Sequence, residues 1–150
     1  MAIKRLDPKA TFDYVCVYDE AIQHETSEEL EASGAVQARF QDYLESFDIN
    51  KLKFVEGKSP TLFRIRGLLS SEKAVIEEKY QEIDVVNKRI KYKNRQQMAL
   101  DMFNLACIGI VNEDGTVEKV SADEVEYKVA QDVGAAIGLL GILSKNLKKA

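Results

Sequence analysis

Lys88, Arg89, Lys91, Lys93 and Arg95 place five cations within eight positions, with Tyr92 among them. Cations at that density hold phosphates and an interleaved ring stacks a base, so one reading of the segment is nucleic-acid contact through these six residues. The favoured reading is a protein-facing or solvated basic surface, because the chain as a whole is acidic, with a net charge of −4 over 150 residues. Carboxylates cluster in Glu28-Glu29-Glu31 and in Asp123-Glu124-Glu126, at or near predicted helix starts, where the macrodipole favours negative charge. The single histidine, His24, lies among Glu20, Glu25 and Glu28 and has no nearby cysteine or serine motif to make a metal site or a nucleophilic pair. Cys16 and Cys107, 91 positions apart, each sit inside an apolar run and read as small core residues rather than a disulfide. A Gly-rich phosphate loop, a G-x-S-x-G elbow and a dinucleotide fingerprint are all missing, so the sequence names no catalytic residue, cofactor or metal ligand.

Charge is unevenly distributed. Residues 1–50 carry four basic and eleven acidic side chains, residues 51–100 twelve and six, and residues 101–150 five and eight. A basic middle between acidic ends either satisfies itself within one molecule or lets the basic surface of one copy meet the acidic surface of the next. For the second case the expected pairing sets Arg64, Arg66, Lys88 and Arg89 against Glu28, Glu29 and Glu31.

Positioning these residues requires elements that hydrophobic spacing supplies. A hydrophobic fraction of 45% with 8 glycines and 2 prolines is that of a chain that folds, and the length suits one domain over residues 1–150. Phe12–Tyr18 alternates like a strand. Thr26 followed by Glu29 forms a capping box for a short helix. Gly34 interrupts that helix, so residues 19–34 read as an exposed acidic arm. Val36, Phe40, Tyr43, Leu44 and Phe47 recur at helical spacing. Leu52–Val55 and Leu62–Gly67 flank a Gly-Lys-Ser-Pro breaker and read as a hairpin, with Phe63 and Ile65 inward and Arg64 and Arg66 outward. A helix capped by Ser70 or Ser71 carries Val75, Ile76, Tyr80 and Ile83 as its stripe and ends near Asp84, and Val85–Arg95 is a basic crossing segment. Met98–Ile108 is apolar on most of its circumference and belongs at the centre of the core. Asn112–Gly115 turns the chain between Gly109–Val111 and Thr116–Val117.

Ser121–Glu124 is a second capping box, opening a final helix over residues 122–146. Gly134, Gly138 and Gly141 within Val133–Leu143 imply close approach of another backbone. That backbone is either the chain's own central helix or a neighbouring copy, docked through Ile137, Leu140 and Leu143. Eleven apolar residues are too few to span a bilayer, and Met1–Arg5 followed by Leu6-Asp7-Pro8 lacks the apolar stretch of a signal peptide. The expected class is therefore α+β: a small antiparallel sheet or hairpins on three to four helices, the last of them long.

The order of these elements resembles that of small tailed-bacteriophage morphogenesis proteins, with tail assembly chaperones the nearest in pattern. The resemblance runs through the opening strand up to Tyr18-Asp19, Thr61–Leu69 leading into Ser70-Ser71-Glu72, the helix around Met98–Ile108, the turn at Asn112–Gly115 with Ser121–Val125, and the closing Leu143-Ser144. It implies a non-enzymatic assembly or virion protein. The implied partners are other phage structural proteins and copies of itself, and the implied location is the host cytoplasm during assembly or the virion.

Overall fold

The computed structural model describes residues 10–147, and side chains through residue 140. In chain order the elements are β1 (Thr11–Val15), α1 (Ser27–Ser33), α2 (Arg39–Ser46), β2 (Leu62–Arg66), α3 (Ser70–Tyr80), β3 (Gln81–Asp84), β4 (Arg89–Tyr92), α4 (Arg95–Ala106), β5 (Cys107–Val111), β6 (Val117–Glu118) and α5 (Tyr127–Leu147), with short 3-10 turns at Ile49–Lys51 and Ala122–Glu124. The fold is α+β: one four-stranded antiparallel sheet in the order β1-β2-β5-β6, a separate two-stranded hairpin β3-β4, and five helices.

The expected alternation in β2 is realised, with Phe63 and Ile65 buried and Arg64 and Arg66 half-buried on the other face. Its partner differs from expectation. β2 lies between β1 and β5, while residues 52–55 form no strand: Phe54 makes an isolated bridge to Ile22. The bond from Val55 N–H to Ala21 C=O (2.7 Å) holds the same contact. Sequence neighbours thus lose to the sheet's interior, where β2 satisfies both edges at once.

α4 and α5 make the most extensive contact between helices. Gly134 is what brings them together. A Cβ there would overlap the backbone carbonyl of Ala99 on α4, so the glycine serves close packing inside the chain. The alternative of docking Ile137 and Leu140 onto another copy is corrected accordingly: both are buried in this chain's core with Val133, Ala136, Met102 and Phe103. The surroundings of Gly141 and the side chain of Leu143 lie outside what is described. A second cluster, Tyr14, Tyr43, Phe40 and Phe47, has ring centroids 5.6–5.9 Å apart and joins β1 to α2. Burying each such ring or aliphatic side chain contributes about 1.5–3 kcal/mol.

Three helix boundaries differ from those the spacing predicts. Val36 is 98% exposed and precedes α2. The last α-helix starts at Tyr127, because the box of Ser121 and Glu124 closes the 3-10 turn before it. Finally, α3 stops at Tyr80, leaving Val75 exposed and Ile83 on a strand. Cys107 falls on β5 rather than in the helix.

Candidate functional site

The sheet's own edges are partly capped or short. On β1, the Tyr43 hydroxyl accepts the Val15 amide (2.9 Å) and donates to the Asp13 carbonyl (3.1 Å). Just beyond β1, one Asp132 oxygen on α5 accepts both the Tyr14 hydroxyl (2.8 Å) and the Val17 amide (3.0 Å). Desolvation, with Asp132 adding to it, drives the Tyr14 hydroxyl far above its ordinary range, and burial pushes Tyr43 up to about 12. Both phenols stay protonated as donors. The opposite edge, β6, is only two residues long, too short to template further pairing.

The hairpin β3-β4 is the reverse. It is inserted directly between α3 and α4, where the hydrophobic spacing predicts a helix end near Asp84 and a crossing segment. Its strands pair Gln81 with Tyr92, Glu82 with Lys91, Ile83 with Ile90, and Asp84 with Arg89. Residues opposite one another share a face. One face therefore carries Ile83, Ile90 and Tyr92, with Gln81; the other carries Glu82, Asp84, Arg89 and Lys91. The apolar face is open to solvent, with Ile83 74% and Ile90 60% exposed, and Val85 and Val86 at the tip are 80% and 89% exposed. On the charged face Asp84 pairs with Lys91 (3.3 Å) and Arg89 (3.9 Å). Side-chain and backbone hydrogen bonds from Asn87, supported by Lys91, hold its carboxyl below the usual range. The same Asn87 contacts form the turn, in which Lys88 adopts φ +51°.

The hairpin's base is fixed where its tip is free. Tyr80 donates its hydroxyl to Asp101 of α4, Lys79 Nζ lies 2.8 Å from the same carboxylate, and Gln97 donates to it at 3.1 Å. Partial burial alone would raise the Asp101 carboxyl; these donors hold it below its ordinary value instead.

The predicted interface residues therefore separate into groups. Arg64 spends its charge on Asp13 (3.0 Å), and Arg66 grips Glu72 with two bonds of 2.7 and 2.9 Å while also reaching the Leu105 carbonyl (2.8 Å). Both are engaged within the chain, tying β2 to β1, α3 and α4. Lys88 and Arg89 stand on the hairpin, exposed, as do Lys91, Tyr92 and Lys93, with Arg95 opening α4. Glu28, Glu29 and Glu31 are exposed on α1, which buries no residue. The acidic arm is shorter than residues 19–34, since Ala21 and Ile22 are buried and Glu25 pairs with Arg39 (3.1 Å). Among the described residues no ion pair joins the α1 carboxylates to any of the four predicted cations.

Elsewhere the surface offers a shallow depression of about 530 Å³ lined by Tyr18, Glu20, Lys58, Glu126 and Lys128, with Cys16 at its wall. Charges of both signs oppose one another there, and burial pushes the Cys16 thiol up to about 12, so it is a thiol rather than a nucleophilic thiolate at neutral pH. His24 contacts the Val17 carbonyl through Nε2 (3.1 Å) beside the Phe40 ring. Among the described residues no three His, Cys, Asp or Glu side chains group to hold a metal ion, and no helix is long and apolar enough to cross a membrane. Compared with protein-family models, curated proteins and solved structures, the chain matches none of them.

Proposed function

We propose that the chain is a non-enzymatic bacteriophage assembly protein, a tail assembly chaperone or minor head or tail component, that acts through contacts with phage structural proteins and with copies of itself. One observation carries the contact half of this reading: a ribbon fixed at its base to α3 and α4 that holds Ile83, Val85, Val86 and Ile90 out in water. Apolar side chains gathered on a projecting element are the mark of a surface that something covers. The phage setting rests on the order of elements described above, and places the protein in the host cytoplasm during assembly or in the virion. The test is light scattering of the purified chain at low and high salt, together with mass spectrometry of purified particles and their assembly intermediates. Self-association, or recovery with such particles, that is lost on Ile83→Ser/Ile90→Ser is the expected result. A monomer absent from every assembly fraction refutes the proposal.

A second reading is favoured by one feature: Lys88, Lys93 and Arg95 make no ion pair among the described residues, and a two-stranded ribbon fits the major groove of duplex DNA. Under it, replacing Lys88, Arg89, Lys91, Lys93 and Arg95 by glutamine abolishes a steeply salt-dependent binding to DNA. Unchanged binding, or none at the outset, removes it.

A further inference from the structure

We infer that the hairpin joins copies of this chain head to tail, β4 of one copy adding to β3 of the next as an antiparallel ladder. This rests on the self-association proposed above and gives it a geometry.

The first support is the backbone. Lys93 N–H donates to Tyr80 C=O (2.8 Å) at the hairpin's base. Antiparallel strands alternate bonded and non-bonded pairs, so Glu82/Lys91 and Asp84/Arg89 exchange bonds inward, while the amides and carbonyls of Ile83 and Ile90 point outward from the two edges. Neither edge has a further strand. This contrasts with β1, where Tyr43 takes one outward amide and one outward carbonyl, and with the two-residue β6.

The second support is charge. β3 carries Glu82 and Asp84, and β4 carries Arg89 and Lys91. Setting β4 beside β3 of another copy brings Ile90 opposite Ile83, the two positions whose backbone groups face outward. It then lays Lys91 against Glu82 and Arg89 against Asp84, repeating between chains the register already present within one. A twofold contact of β4 with β4 opposes cations, and β3 with β3 opposes carboxylates; like charges placed opposite destabilise a ladder. The favoured contact thus uses two different edges and always leaves one of each unfilled. Such a heterologous contact extends into a ring or an open filament. It also lines up Ile83, Ile90 and Tyr92 of successive copies into one continuous apolar strip.

A four-residue ladder is small, so each contact is weak and the mass depends on concentration and salt. The test is sedimentation equilibrium of the full chain across a wide concentration range. Wild type is expected to gain mass with concentration at low salt and lose it at high salt. Arg89→Glu/Lys91→Glu turns two opposite-charge pairs into like-charge pairs and is expected to weaken association about tenfold or more. Adding Glu82→Lys/Asp84→Lys to it restores both the hairpin's internal pairs and the contact between copies. Ile90→Pro removes one outward N–H while keeping every charge and every inward bond, and is expected to abolish association with the helical signal unchanged. Association indifferent to the charge swap and to Ile90→Pro overturns the ladder while leaving self-association through another surface standing. A monomer at every concentration overturns both.

Discussion

Two glycines one turn apart on α5 are expected to respond to the same substitution with opposite sign. In an unobstructed helix Gly→Ala stabilises by about 1 kcal/mol, because alanine restricts the unfolded chain and favours the helix. At Gly138 the nearest atoms to a new Cβ are the Sδ and Cε of Met102, both at 3.5 Å, an ordinary contact with the end of a flexible side chain. Gly138→Ala should therefore keep most of the propensity gain, about 0.5–1 kcal/mol. At Gly134 the new Cβ would lie on the carbonyl of Ala99, with the Ala99 Cα at 3.0 Å. Backbone cannot rotate aside, so α5 must move away from α4. A gap of about 1 Å forfeits a quarter to a half of each dispersion contact along the interface, and overpacking of this kind costs about 1–3 kcal/mol. Since the obstruction is backbone and Val133, Ala136 and Ile137 flanking it are buried, the cost lies at the top of that range, about 3 kcal/mol, and less the propensity gain of about 1 kcal/mol Gly134→Ala should be destabilising by about 2 kcal/mol net. At roughly 2–4 °C per kcal/mol for a chain of this size, the midpoint should fall by about 4–8 °C in Gly134→Ala and rise by about 1–4 °C in Gly138→Ala. Thermal unfolding followed by circular dichroism at the helix band reads both. A Gly134→Ala protein as stable as wild type would refute the backbone contact between α4 and α5.

Tyr43→Phe removes the hydroxyl that serves both Val15 N–H and Asp13 C=O, and an unpaired buried amide should cost about 1–3 kcal/mol in urea unfolding; a change near zero would mean that β1's edge is not closed by this group. Glu72 is held below its ordinary range by the Arg66 guanidinium, against a smaller opposing effect of burial. Its folded value is thus depressed, so its stabilisation is present above the ordinary glutamate range and lost as pH falls through the folded value. The stability gap between wild type and Glu72→Gln, measured by urea titration at several pH values, should be widest near neutrality and close in acid; a gap that widens in acid would contradict the assignment. Cys16 and Cys107 are both buried, with thiols pushed up to about 12 and about 11 by desolvation. Disulfide-exchange reagents should label them only at the rate of unfolding, which rapid labelling of the native protein would disprove.

Local signals were legible where one physical effect dominates. Thr26 and Glu29 form the anticipated capping box in both directions, and the Asn112–Gly115 turn joins β5 to β6 as its residues require. Phe63 and Ile65 declared a one-sided strand, but not which strands it pairs with, since register between distant segments is decided by packing against α4 and α5. At the candidate site two periodicities overlap in the same residues. Val75, Ile76, Tyr80 and Ile83 continue a helical spacing across the end of α3, and that coincidence carried the helix past Tyr80. A period-two signal lay in the same letters: Glu82-Ile83-Asp84 and Arg89-Ile90-Lys91-Tyr92 alternate on either side of Val85–Lys88. The five cations stand out by composition, whereas Ile83 and Ile90, which share one exposed face of the ribbon, show only through the period-two pattern. Arg64 and Arg66 failed as surface markers for a different reason, because a cation facing away from a core still finds carboxylates on adjacent elements.

The carboxylate of Asp132 secures the strand end at Tyr14 and Val17 across 118 and 115 positions of chain. At a ribosome adding about 5–20 residues per second, β1 is synthesised on the order of 6–24 s before the residue that fastens it. A hairpin such as β3-β4, whose partners are adjacent in sequence, closes in about 1–10 μs. Both strands of the ribbon are thus in the chain before any of α5 has been made, whereas the end of β1 gains its fastening carboxylate only once α5 has been translated.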